Sequence, residues 1–209
     1  MDYMLKLSAF LHVLVALLIL QLCNHTNLCY SATPTLVPNK TYFNYITTSC
    51  NVTRYPKLCY KSLSIFAAKI KTNPKVLAQT ALNVSLAATE TTSVVLNRLS
   101  KTQGLNPAES AALRDCIELI DDSSYELQGS MREMRRLASE NFSFGISNIL
   151  TWASAALTNC VTCMDGFEGN DNIMDEEVKD SVLRHARKVC RLTSNSLALV
   201  NSYASGDQG

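Results

Sequence analysis

Cys50 and Cys59 flank Tyr55-Pro56, and Cys116 and Cys163 flank the short polar stretch Ser139-Glu140-Asn141. The midpoint of each pair falls on a candidate turn, near position 54 or 55 for the first and near 139 or 140 for the second. In two antiparallel helices joined by a tight turn, residues equidistant from that turn lie side by side. The spacing therefore predicts two disulfides, Cys50–Cys59 and Cys116–Cys163, each stapling a helical hairpin.

The apolar residues agree with a helical reading. They recur in steps of three and four along Leu77, Ala81, Val84, Ala88, Thr91, Val95 and Leu99, then along Leu113, Ile117, Ile120, Ser124, Leu127, Met131, Met134 and Ala138. A third series runs Ile149, Ala153, Ala156, Cys160, Cys163 and Phe167, and a fourth Val178, Val182, His185, Val189, Leu192, Ser196, Leu199 and Tyr203. Each is one buried stripe of an amphipathic helix. Asn73-Pro74 and Asn106-Pro107 read as N-caps followed by proline at the first helical position, and Glu109 completes a capping box with Asn106. Turns are expected near Gln103-Gly104, near Glu140-Asn141 and from Gly169 to Asp175.

The predicted fold is all-α. It is an antiparallel up-down-up-down four-helix bundle over residues 73–204, with a helical hairpin over 39–71 as an N-terminal extension and a disordered tail over 205–209.

The start of the chain reads differently. Leu7 to Leu22 is almost wholly apolar and follows Lys6, and Cys29-Tyr30-Ser31 offers small residues at a cleavage point. That pattern predicts a secretory signal over residues 1–31. The apolar run is shorter than the ~20 residues of a spanning helix, so no membrane attachment is expected after cleavage. Cleavage would remove Cys23 and Cys29 and leave six of the eight cysteines in an oxidising compartment. It also makes the sequons at Asn39, Asn51, Asn83 and Asn141 candidate glycan acceptors. A formal net charge of +1 gives no basic field for nucleic acid or for a polyanionic polysaccharide.

Two cysteines remain. With the last turn centred near 171, the residue level with Cys160 is near 182, eight residues short of Cys190. At ~1.5 Å per residue that is about 12 Å along the axis, beyond the ~7 Å Cα separation a disulfide tolerates. Cys160 and Cys190 are therefore expected to be free thiols. Cys160-Val-Thr-Cys163 resembles a redox or metal CxxC, but no second CxxC accompanies it and Cys163 is already paired with Cys116.

Catalytic chemistry finds little material. His185 is the one histidine certain to survive signal cleavage, and it sits on an apolar stripe where a packed, hydrogen-bonded role is expected. Asp121 and Asp122 are adjacent on a helix and cannot face one point together. Asp165 stands beside a stripe as a solvated flank, and Asp171 to Glu177 suits a loop and an acidic first helical turn. No metal or cofactor is implied. A binding role outranks an enzymatic one.

Several stretches together resemble one family. These are Cys50-Asn-Val-Thr-Arg-Tyr-Pro-Lys-Leu-Cys59, Leu113-Arg-Asp-Cys116-Ile-Glu-Leu-Ile-Asp-Asp122, Thr151-Trp-Ala-Ser-Ala-Ala-Leu-Thr158 running on to Thr162-Cys163-Met-Asp-Gly-Phe167, and Arg191-Leu-Thr-Ser-Asn-Ser-Leu-Ala-Leu199. In this order, with the two cysteine pairs, the chain resembles the plant invertase and pectin methylesterase inhibitor domain family from about Tyr42 to Tyr203. The resemblance implies the bundle with its hairpin and both disulfides. It also implies a secreted, apoplastic or cell-wall protein that forms a 1:1 complex with a carbohydrate enzyme. In the pectin methylesterase branch, helix faces cover the enzyme's pectin cleft, whereas invertase inhibitors insert a Pro-Lys-Phe segment from their later half. No proline follows Pro107 here, which favours pectin methylesterase as partner and leaves invertase as the alternative. By the same resemblance Thr162 corresponds to an interface threonine. A plain structural reading of Thr162 is a helix-surface hydroxyl bonded to its own backbone. Similar domains also serve as pro-regions of pectin methylesterases, which leaves a folding or targeting module as a third reading.

Overall fold

The computed structural model of the chain describes residues 39–168 and 175–206. The expected signal over 1–31 and the end of the expected tail, 207–209, lie outside the described residues. Among those described, all regular structure is helical. Short helices come first: α1 (Lys40–Cys50), α2 (Pro56–Leu63) and α3 (Ala67–Ile70), with a 3-10 turn over Ser64–Phe66. Four long helices follow: α4 (Pro74–Leu99), α5 (Pro107–Arg136), α6 (Phe142–Asp165) and α7 (Glu176–Gly206). A second 3-10 turn, Ser139–Asn141, leads into α6. Helix α7 passes through Ser205 and Gly206, where the tail was expected to begin.

The starts of these helices follow their sequences. Asn73 Oδ1 accepts the Val76 N–H at 3.0 Å ahead of Pro74. Asn106 Oδ1 accepts the Glu109 N–H at 2.9 Å, and Glu109 Oε2 accepts the Asn106 N–H at 2.7 Å, closing the capping box. Such caps contribute about 1 kcal/mol each by pairing amide protons that have no partner within the helix. Between α4 and α5 the chain turns through Gly104 at φ 92°, a region that a Cβ would oppose. Lys75 Nζ donates to Leu137 O at 3.1 Å, so a cation at the start of α4 satisfies a carbonyl beyond the end of α5.

Helix α4 packs on α5, α5 on α6, α6 on α7, and α7 back on α4. The contacts fix opposite senses. Ser123 of α5 meets Ala156 of α6, whereas the later Ser130 meets the earlier Ile149. Cys160 of α6 meets Cys190 of α7, whereas the earlier Phe142 meets the later Tyr203 edge to face at 5.5 Å.

One core cluster gathers Leu96, Leu113, Ile120, Phe167, Val182 and Val189, and another gathers Leu82, Leu127, Met134, Ile146, Ile149 and Val200. A third joins Ile46, Leu63 and Ile70 of the short helices to Leu77 of α4 and Leu199 of α7. Hydroxyls are buried as well. Ser85, Thr89 and Thr92 each donate to the carbonyl four residues back, at 2.8 to 3.2 Å, and Ser85 also meets Ser196 across the α4–α7 seam at 2.8 Å. The stripe expected through Thr91 has therefore rotated onto Thr92, which is buried while Thr91 is exposed.

Among the described residues three disulfides are present. Cys50–Cys59 has its Cα atoms 5.7 Å apart, Cys116–Cys163 4.5 Å and Cys160–Cys190 5.7 Å. The third corrects the expectation that Cys160 and Cys190 are free thiols. The register failed because α6 is short. Cys163 lies level with Cys116, nine residues into α5, and α6 runs only two residues further to Asp165, so it ends about 10 Å below the start of α5. Helix α7 begins level with α5, since the Asp175 N–H at its start donates to Glu109 Oε1. Residues equidistant from the turn face each other only when both helices end at one level. Here the partner of Cys160 falls two turns further along α7.

Candidate partner interface

The outer face of α5 and α6 is the surface on which Thr162 stands. It is built on a close seam. The hydroxyl of Ser123 is shared between Leu119 O at 2.8 Å and Ala156 O at 3.2 Å, and that of Ser130 between Glu126 O and Ile149 O, both at 3.2 Å. The bonds to Ala156 and Ile149 tie side chains of α5 to the backbone of α6. A Cβ on Gly129 would lie 3.1 Å from Trp152 Cε3, so the indole rests against the α5 backbone. Small residues permit this approach, as ridge-into-groove packing requires. Cys116–Cys163 then locks the two helices one residue from Thr162.

On this base the exposed residues are placed but not assembled into a reactive centre. Thr162 is exposed, and its Oγ1 donates to Thr158 O at 3.1 Å, so at rest the hydroxyl is bonded to its own helix. Val161 beside it is 43% exposed, and Tyr125 of α5 is 67% exposed with the Arg132 guanidinium 5.9 Å from its ring centre. Asp122 is exposed, whereas Asp121 turns to α4 and accepts the Ser93 hydroxyl at 2.6 Å. The two carboxylates diverge, as their adjacency on a helix requires. Asp165 is exposed at the end of α6. His185 is half-buried, and its Nδ1 donates to Ser181 O at 2.7 Å. Among the described residues no three His, Cys, Asp or Glu side chains come together as a metal ion would need. Cys160 and Cys163 of the CxxC are paired with two different partners.

The sequons lie at the surface. Asn39, Asn51 and Asn83 are exposed. Asn141 is half-buried, with Oδ1 accepting the Ala138 N–H at 2.8 Å and Nδ2 turned to Arg136 O at 3.4 Å.

One anchoring residue carried no separate signal in the sequence. Asn195 of α7 is 3% exposed, and its amide accepts the Tyr55 N–H and donates to Tyr55 O, both at 3.1 Å. It holds the Cys50–Cys59 turn to α7 by mimicking a backbone partner. Its only sequence clue was its place within the closing Arg191-to-Leu199 stretch.

Fold and surface define an all-helical, disulfide-stapled domain with a preformed outer face. The chain belongs to the plant invertase/pectin methylesterase inhibitor family, whose defining pattern matches residues 44–199. It is 46% identical over 170 residues to Pectinesterase inhibitor 10 of Arabidopsis thaliana, which covers 80% of this chain and 53% of that protein, so the chain spans about half that relative's length. It is 45% identical over 163 residues to the 21 kDa protein of Daucus carota, covering 77% and 83%. Among solved structures it is similar to mutant form A of a pectin methylesterase inhibitor from Arabidopsis, at TM-score 0.61 and 22% identity over 75% of this chain and 95% of that one. At that identity the likeness speaks for the fold.

Proposed function

We propose that this chain is a secreted protein inhibitor of pectin methylesterase. It lays the α5–α6 face across the enzyme's pectin-binding cleft in a 1:1 complex, and so restrains de-esterification of cell-wall pectin by occlusion without turnover of its own. The observation that carries this reading is the kinship to relatives named pectinesterase inhibitors over most of the chain. Thr162 contributes to the contact. On this reading the four long helices form an up-down-up-down bundle over 73–204 with 39–71 as its hairpin, the signal over 1–31 is removed, and Asn39, Asn51, Asn83 and Asn141 are the glycan acceptors. Titrating the purified protein against pectin methylesterase while following acid release from methylated pectin tests the reading. Stoichiometric loss of rate is expected, and undiminished rates across a panel of isoforms and pH values would refute it. The family's description also includes invertase, so sucrose hydrolysis in a parallel titration decides the second reading.

A further inference from the structure

A net charge of +1 conceals a segregated surface. No Asp or Glu occurs from Asn39 to Thr89, whereas residues 39–71 include Arg54, Lys57 and Lys61 among their cations. Helix α7 carries Arg184, Arg187, Lys188 and Arg191, with no acid from Ser181 to its end at Gly206. Positions separated by three and four on a helix share one side, so these four cations line one flank of α7 over two turns. Helix α2 packs on α7, and the two basic segments therefore meet. Between them runs a groove of about 410 Å³, with Leu58 and Leu183 on its floor and Arg184, Arg187, Lys188 and Arg191 along it.

Leu58 and Lys188 also border a second groove of about 460 Å³, which continues to Lys61 and the 77% exposed Ile65. At the near end the Tyr55 ring has two guanidinium groups close by, Arg54 at 5.8 Å and Arg191 of the groove at 5.3 Å from its centre. Its backbone is held by Asn195, so this end of the trough is preorganised. Two acids oppose the cations: Asp180 in the groove, and Glu168 at 3.7 Å from Arg187. The balance stays positive.

We propose that this trough binds a linear polyuronate, namely the carboxylate-bearing runs of pectin that lose their methyl esters to the target enzyme. The geometry fits such a chain. The α7 cations recur once per helical turn, about 5.4 Å along the axis, which suits a polymer with charges at regular intervals. Guanidinium forks outnumber the lone ammonium along the groove, and they match planar carboxylates. Leu58, Leu183 and the Tyr55 ring offer apolar surface to the C–H faces of sugar rings. The hairpin packs on α4 and α7, so the trough lies on the other side of the helix ring from the α5–α6 face, and enzyme and polymer can be held together. The identity of the polyuronate rests on the inhibitor reading; the basic trough does not.

The test is equilibrium binding of the full purified protein to unmethylated and fully methylated oligogalacturonates over a salt series, with pectin methylesterase inhibition measured in parallel. The protein is expected to bind the unmethylated oligomer more weakly as salt rises and to ignore the methylated one. Arg184→Glu/Lys188→Glu, and separately Lys57→Glu/Lys61→Glu, are expected to lower that affinity by about tenfold or more while inhibition and melting temperature stay unchanged. The proposal is overturned if the unmethylated oligomer fails to bind at low salt, if methylation makes no difference, if both charge reversals bind normally, or if phosphatidylserine vesicles bind more tightly. It is also overturned if charge reversal and inhibition fall together, which would make this face the enzyme contact. Binding to the oligomer without inhibition of any pectin methylesterase would instead sink the functional reading and leave the trough standing.

Discussion

Replacing Cys160 and Cys190 together by alanine removes the one staple that joins α6 to α7. The bond closes a sequence separation of 30, between the 9 of Cys50–Cys59 and the 47 of Cys116–Cys163. On the chain-entropy model the three contribute about 2.7, about 3.7 and about 4.1 kcal/mol in order of loop length. For a domain of this size 1 kcal/mol moves the melting temperature by about 2–4 °C, so the double variant should melt roughly 10 °C lower. A cavity term adds to this, because Cys160 is fully buried and Cys190 is 8% exposed in the core cluster of Leu113, Phe167 and Val182. Changing both cysteines at once leaves no orphan thiol to mispair. The assay is a pair of measurements on protein never exposed to reductant: thermal melting of wild type and variant, and thiol titration of wild type after denaturation. No thiol should titrate from the six cysteines of residues 39–206. Two thiols per chain, or a melting shift under about 3 °C, would restore the register that the sequence suggested and refute the argument from the short α6.

Asn195→Ala should leave the N–H and C=O of Tyr55 without side-chain partners, at about 1–3 kcal/mol. Faster proteolytic cleavage near the Cys50–Cys59 turn, with the four long helices intact by circular dichroism, is the expected readout. Burial raises the Tyr45 phenol above 10.0, opposed in part by its bond from Ser49. The folded state therefore holds that proton more tightly than the unfolded chain, so this contribution is complete below about pH 10 and is lost as pH rises through the folded value. A Tyr45→Phe variant should lose less stability between neutral and strongly alkaline pH than wild type does. Thr162→Arg should weaken pectin methylesterase inhibition about tenfold or more while shifting the melting temperature by no more than about 2 °C, since the side chain is exposed.

The helices were legible because caps and apolar periodicity are local. Asn73-Pro74 and Asn106-Pro107 mark the starts of α4 and α5 as read, and the Asn106–Glu109 box forms in both directions. What escaped was set by neighbours. Ser85, Thr89, Thr92, Ser123 and Ser130 read as polar, yet their hydroxyls are satisfied by their own helices and so pass into the core. Gly129 carried no signal, because its role depends on Trp152 from another helix. The pairing of Cys160 with Cys190 required the relative length of α5 and α6, which no window of one helix contains. The candidacy of Thr162 as a contact residue came only from family resemblance. The basic trough was invisible to net charge because cations and anions occupy different elements.

These small residues bear on how such a face could work. An inhibitor that acts by covering a cleft gains affinity to the extent that its surface is ordered before binding, since ordering side chains and helices on contact costs free energy. The α5–α6 seam supplies that order through its backbone. Ser123 and Ser130 reach carbonyls of α6, Trp152 lies on the bare backbone at Gly129, and a disulfide crosses beside Thr162. Larger apolar residues would bury more area at the seam, but they would push the helices apart and leave the outer face to be positioned by flexible side chains. Glu109 extends the same logic to the open end left by the short α6. A 2% exposed carboxylate there accepts the Asn106 N–H with one oxygen and the Asp175 N–H with the other, fixing the first turns of α5 and α7 where α6 has already ended. Where an apolar contact cannot span a missing helix, a buried acid with both oxygens engaged by backbone can.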